Sequence, residues 1–161
     1  MQYPTQLILG LALSFLPFFE LRGGLPIVLD YVLKNNLAIA PYFLLVLFFN
    51  LLSMFFVFFF LDFIHKHLIV FPLYKNFIEK IITKIQKKVD NTKSNLDRFG
   101  FIALTVFVAI PLPGTGAWTG SFVAWLLGLN RLKSYLAIAI GVVIAGILIL
   151  TASLGLFSLI F

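Results

Sequence analysis

Two stretches of this chain put charge and helix breakers inside segments otherwise apolar enough to lie in a bilayer. The first is Glu20-Leu21-Arg22-Gly23-Gly24-Leu25-Pro26. The second is Pro111-Leu112-Pro113-Gly114-Thr115-Gly116-Ala117-Trp118-Thr119-Gly120-Ser121. A charge in hydrocarbon costs roughly 2.5–3.5 kcal/mol per residue on insertion scales. Helix breakers at the same depth free backbone groups that need partners. Both are tolerated together only where protein or water surrounds them, so each stretch reads as part of a functional site, with a transport pathway as the leading reading.

Composition agrees with a bilayer setting. The 161 residues are one domain by length, and 61% hydrophobic residues with a mean hydropathy of +1.09 read as an integral membrane protein. Cysteine is absent, which excludes disulfide and thiolate chemistry. The formal charge of +6 is uneven: of twelve Lys and Arg, eight lie between Lys66 and Arg98. A basic block between apolar blocks reads as a cytoplasmic loop. It lacks the interleaved aromatic residues of a nucleic-acid surface, so no nucleic-acid partner is expected. The start has no basic region and no small-residue cleavage site follows, so the apolar segments are expected to stay in the mature protein.

In chain order, residues 7–19 make an apolar arm of about 20 Å as a helix, less than a core of roughly 30 Å. The break follows, and Pro26 suits the first turn of a new helix. Its short arm, 27–33, leads to a re-entrant hairpin in place of a straight span. Residues 37–61 are uncharged and long enough to cross. Phe48, Phe49, Phe55, Phe56, Phe58, Phe59 and Phe60 surround that helix as lipid-facing and packing side chains. Asp62, His65, Lys66 and His67 mark the interface. Residues 72–96 combine an apolar stripe with Lys75, Lys80, Lys84, Lys87, Lys88 and Lys93, the pattern of a basic amphipathic helix on an anionic leaflet or of a connector packed on the bundle.

The second half repeats the order of the first: an apolar arm from 99, a Pro/Gly-rich break, a short arm over 121–127 and an uncharged span over 134–161. Sliding the chain by 94 positions lays Pro17 on Pro111, Leu33 on Leu127 and Asn36 on Asn130. The expected fold is therefore all-helical, an inverted repeat with unit 1 over 5–64 and unit 2 over 99–161. Paired broken segments of this kind point to a midplane site. Hairpins would put the basic loop, Arg131 and Lys133 on one side, as the positive-inside rule prefers. The loop is then cytoplasmic, both termini lie outside, and the protein is a multi-pass cell-membrane protein.

Glu20 and Arg22, two apart, point to different faces of a regular helix. Direct pairing needs unwound backbone, which Gly23-Gly24 would permit. Either the two neutralise each other, or Glu20 takes and releases a proton while Arg22 holds an anionic group. Half-helices starting near Pro26 and near Gly120-Ser121 would aim N–H groups at that anion, with phosphate the natural candidate. Thr115, Thr119 and Ser121 either add hydroxyl donors or cap the half-helix. Gly116 and Gly120 have the spacing of close helix approach, and Trp118 either plugs the site or packs. Asp30 reads as a helix-end residue paired with Lys34, or as a second proton site. His65 and His67 read as interface residues, and no metal is expected. Catalytic signatures are missing and no cofactor motif is present, so no enzyme activity is expected.

The two stretches quoted at the outset resemble the signature motifs of the small multidrug export protein family, and the resemblance covers nearly the whole chain. That family looks distantly related to the DedA membrane proteins, which share paired re-entrant hairpins. The family name implies drug efflux. The DedA resemblance implies movement of polyprenyl-phosphate lipid carriers linked to proton-motive force, with Glu20 and Arg22 matching the acidic and basic residues of the first hairpin. This chain departs from the DedA pattern in having no arginine in its second break.

Three functions compete. The first is a proton-linked transporter or flippase for an anionic, phosphate-bearing lipid or amphiphile, working among membrane lipids. The second is efflux of small cationic amphipathic drugs, with Glu20 as counter-charge beside an unfavourable Arg22. The third is a non-transport scaffold. The small cavity that two hairpins enclose is compatible with a homodimer. The first is the expected function, with its pathway along Glu20, Arg22, Gly23, Gly24, Pro26, Pro111, Pro113, Gly114, Thr115, Gly116, Trp118, Thr119 and Gly120.

Overall fold

A computed structural model describes residues 4–70 and 93–160, with Asn76, Lys80 and Thr83 as isolated positions between them. Six helices make up the described chain: α1 (Pro4–Phe15), α2 (Glu20–Lys34), α3 (Ile39–Leu68), α4 (Lys93–Ala109), α5 (Ala117–Leu126) and α6 (Arg131–Ile160). No strand occurs among the described residues. Most of the amphipathic segment expected over 72–96 lies outside them.

Local chemistry accounts for the helix ends. Pro4 opens α1 and Pro41 sits in the first turn of α3, positions where the missing N–H would be unpaired anyway. Asn130 caps α6 by accepting the Lys133 N–H at 3.1 Å. The two short arms end alike. In α2 the Asn36 and Leu37 N–H groups return to the Leu33 and Val32 carbonyls; in α5 those of Gly128 and Leu129 return to Trp125 and Ala124. Asn36 and Gly128 carry the positive φ values, 51° and 61°, that this closing motif requires. The matching corners are thus 92 positions apart, not the 94 that aligns Pro17 with Pro111, because the second break is longer and its short arm shorter.

α2 folds back antiparallel on α1, with Gln6 hydrogen-bonded to Asp30 at the open end. Closer to the turn, a Cβ at Gly24 would overlap Ser14 and the Gly10 backbone, and one at Gly10 would overlap Val28. The glycines therefore serve close helix approach, and Gly23-Gly24 are helical instead of unwound. The strained backbone lies earlier, at Phe18 (φ 71°) and Glu20 (φ 46°). Two expectations are corrected with it. The second arm starts at Glu20, leaving Pro26 inside the helix, where it denies the Arg22 carbonyl its usual donor. The first arm stops at Phe15, and the arm after the second break starts at Ala117.

α4 and α5 form the second hairpin, with Gly120 against Val108 and Gly100 beside Leu129. The hairpins interlock with the long helices of the opposite halves. α5 packs on α3, and α2 on α6. The core they share includes Leu25, Val28, Leu29, Val46, Val108, Ile138 and Val142.

Large apolar side chains cover the outside of this bundle, and several polar ones are buried within it. Ser14, Glu20, Asn50, Ser53, Ser121, Ser134 and Ser153 are buried, while Phe48, Phe55, Phe59, Ile102, Leu136 and Leu148 face outward. α3 and the stretch Arg131–Leu156 are each long and apolar enough to cross a membrane. So much large apolar surface outside, over buried polar side chains, fits hydrocarbon as its solvent. Phe58 is one of the phenylalanines that pack: it is buried beneath the Arg131 guanidinium, 4.9 Å from the ring centre.

Candidate functional site

The two breaks, separated by nearly a hundred residues, meet each other. Helix α1 ends at Phe15, and its last carbonyls need donors. Trp118 Nε1 donates to the Phe15 carbonyl at 2.8 Å, and Asn50 Nδ2 to that of Ser14 at 2.9 Å. Helix α5 begins after Gly116 with no side-chain cap of its own. Glu20 supplies one from the other hairpin, its Oε1 accepting the Trp118 backbone N–H at 3.0 Å. An anion at a helix N-terminus is favourable, and here the protein's own carboxylate takes that place. A Cβ at Gly116 would overlap this carboxylate. With φ −166° the residue is simply extended, so its glycine serves proximity.

Arg22 turns to the second break and not to Glu20. Its Nη2 donates to Thr115 Oγ1 at 2.9 Å, while Glu20 and Arg22 attract each other through space. Thr115 also ties its own loop: the hydroxyl lies 2.6 Å from the Ile110 carbonyl and 2.8 Å from that of Leu112, and donates to one of them. The sharp reversal at Gly114, φ 83°, lets the chain return so that Thr115 faces both Arg22 and that loop. Pro111 and Pro113 stand exposed on its outer side.

Above this junction opens a cavity of about 310 Å³. Glu20, Arg22 and Thr115 are its polar end, and Phe18, Phe60, Trp118 and Phe122 line much of its apolar remainder. Thr119 also lines it. Glu20 is buried at 6% exposure. Arg22 is only half-buried, and one of its five N–H donors is used by Thr115. Arg22 is therefore the charge with donors to spare.

Not every expected residue reaches this site. Gly23 packs on Phe19, Gly24 on α1 and Gly120 on Val108. The Ser121 hydroxyl bonds back to the Ala117 carbonyl. Asp30 sits at the far end of α2, bound by Lys34 at 2.8 Å and Gln6 at 2.7 Å, which matches its reading as a helix-end residue. Trp118 is an anchor between the hairpins, with its ring against Phe15 and Phe56. Sequence reasoning passed over Asn50, although an amide in an uncharged span is itself a signal. It also missed a second clasp, where Asp62 accepts from Arg131 at 2.6 Å and from Trp125 Nε1 at 2.8 Å.

The apolar exterior, the two long apolar helices and the buried polar junction are those of a helical membrane protein. The family described as "Putative small multi-drug export protein" matches residues 20–148, and the chain belongs to that family. No curated protein and no solved structure matches the chain.

Proposed function

We propose that the protein is a proton-linked transporter or flippase for an amphiphile with an anionic, phosphate-bearing head group. One observation carries this reading: a half-buried guanidinium with unused donors stands at the polar end of an aromatic-lined cavity. Arg22 holds the head group, and the apolar tail lies along Phe18, Phe60 and Phe122. Glu20 carries the coupling proton. Protonation removes the charge that caps α5, loosens the Trp118 N–H bond and frees the two breaks to separate.

Both hairpins are re-entrant in this reading. At about 22 Å for α2 and about 15 Å for α5, the short arms fall below a core of about 30 Å. The units form an inverted repeat, a relation supported by the exchanged packing of α2 on α6 and α5 on α3 and by the shared corner motif. The basic loop is cytoplasmic and both termini lie outside, in the cell membrane. The protein is not an enzyme. A homodimer would complete the wall of the cavity.

The description of the family, multi-drug export, favours a second reading, which we take as export of small cationic amphiphiles with Glu20 as counter-charge. The same cavity would serve, but the cation would lie beside Arg22, and Glu20 already binds α5.

The test is translocation of a labelled polyprenyl phosphate in liposomes, with and without a proton gradient, for wild type, Glu20→Gln and Arg22→Ala. Gradient-dependent movement lost in both variants is expected. Movement of a cationic dye with none of the lipid would replace this reading by the second.

A further inference from the structure

A second pocket, of about 10 Å³, lies where α2, α3, α4 and α6 meet the loop before α5, lined by Glu20, Asn50, Thr115, Val108 and Val142. Asn50 is 1% exposed. Because Ser14 offers a carbonyl, the Asn50 nitrogen must face it, and this sets the amide's orientation. Its Oδ1 then has no partner among the described residues. A buried acceptor left so keeps the full penalty of its lost hydration, and hydrocarbon around the bundle offers no relief.

Among the described residues no donor bonds Oδ1. Ionised Glu20 only accepts, the Thr115 proton goes to the Ile110 or Leu112 carbonyl, and Arg22, which also lines the pocket, directs its Nη2 donor to Thr115 instead of Asn50. A pocket of about 10 Å³ reaches the lower end of the roughly 10–15 Å³ that a cavity needs to admit one water. Water has two protons to give. We propose that one water molecule is bound between Asn50 Oδ1 and the Glu20 carboxylate, and that Glu20 exchanges its transported proton through it. This rests on Glu20 being the coupling carboxylate. A proton arriving at that water makes a hydronium ion, which passes one proton to Glu20 and remains as water. Asn50 is the positioning residue: it holds the water in register without being protonated. Arg22 is the charged group facing Glu20 among the described residues. The other elements bring Asn50, Thr115 and apolar side chains to the pocket.

The test uses difference infrared spectroscopy on the full chain in liposomes. It follows the carboxylic C=O band that disappears in Glu20→Gln and any O–H band that shifts in ¹⁸O-labelled water. In wild type a discrete ¹⁸O-sensitive band should change together with Glu20 protonation. Asn50→Leu should abolish that band and move the Glu20 titration midpoint by about one pH unit, the size of one net hydrogen bond. Asn50→Ser keeps a hydroxyl and should retain the band. A folded Asn50→Leu protein with unchanged band and midpoint would overturn the proposal. Should Asn50→Leu not fold, the wild-type water band decides: indifference to Glu20→Gln, or its replacement on adding sodium, overturns the water site. Because the spectra report on Glu20 and not on lipid, failure of lipid transport leaves this result standing, and the reverse holds equally.

Discussion

The backbone N–H of Trp118 donates to the carboxylate of Glu20 across 98 positions of sequence, at 3.0 Å. Through this bond one hairpin caps the helix of the other. It also corrects the expectation that the N-terminus of the second half-helix stands open to a substrate anion. The position that a phosphate would take at α5 is filled by Glu20, which is why the proposed function gives the head group to Arg22.

Glu20→Ala removes a charged, buried cap and should destabilise the protein by about 2 kcal/mol. Glu20→Gln keeps an acceptor and should lose about half that. Thermal unfolding in detergent measures both, and equal losses would mean that charge contributes nothing to the cap. The Trp118 amide should exchange faster with deuterium in each variant.

Trp118→Phe keeps an aromatic ring against Phe15 and Phe56 but leaves the Phe15 carbonyl without its donor. The expected loss is about 1–3 kcal/mol. An unchanged unfolding midpoint would show that the ring, and not its N–H, joins the breaks.

Gly116→Ala places a methyl group on the Glu20 carboxylate, and overpacking of this kind costs about 1–3 kcal/mol. Transport should fall along with stability. Gly114→Ala meets no neighbour, and its cost comes only from the backbone at φ 83°, about 1 kcal/mol. A milder effect at Gly116 than at Gly114 would contradict the contact described here.

Thr115→Val removes the acceptor of Arg22 and the hydroxyl that ties the Ile110 and Leu112 carbonyls. Thr115→Ser restores both. Transport assays should show loss in the first and recovery in the second, and equal activity of the two would remove Thr115 from the site.

Asp62→Asn weakens the clasp to Arg131, whose side chains are 45% and 51% exposed. A pair so open contributes less than about 1 kcal/mol, so stability and transport should hardly change. A large loss of transport would mark this clasp as part of the moving machinery.

Much of this was legible before any coordinates. Uncharged length and helical hydropathy depend on local composition, so the two long helices, the interrupted segments between them and the polar corners followed from residue order alone. Glu20, Arg22 and Thr115 stood out because charge and hydroxyls are rare in such surroundings. Asp30 was assigned its end-of-helix place from a neighbour four residues on, a strictly local relation.

What the sequence could not decide was pairing at a distance. Whether Glu20 meets Arg22, a substrate or the Trp118 N–H depends on where a second hairpin lies, and no local pattern encodes that. The same holds for Gly24 and Gly116, read as flexible or as small, whose meaning comes from what packs against them. Asn50 is the clearest case. Its position in an apolar span is visible in sequence, but a bound Ser14 carbonyl on one side and an unpartnered oxygen on the other exist only once α1 has stopped at Phe15 beside it. Sequence by itself determined the helices and the residues too polar to ignore. Tertiary structure alone decided their partners, because hydrogen bonds between breaks are set by three-dimensional proximity and not by spacing along the chain.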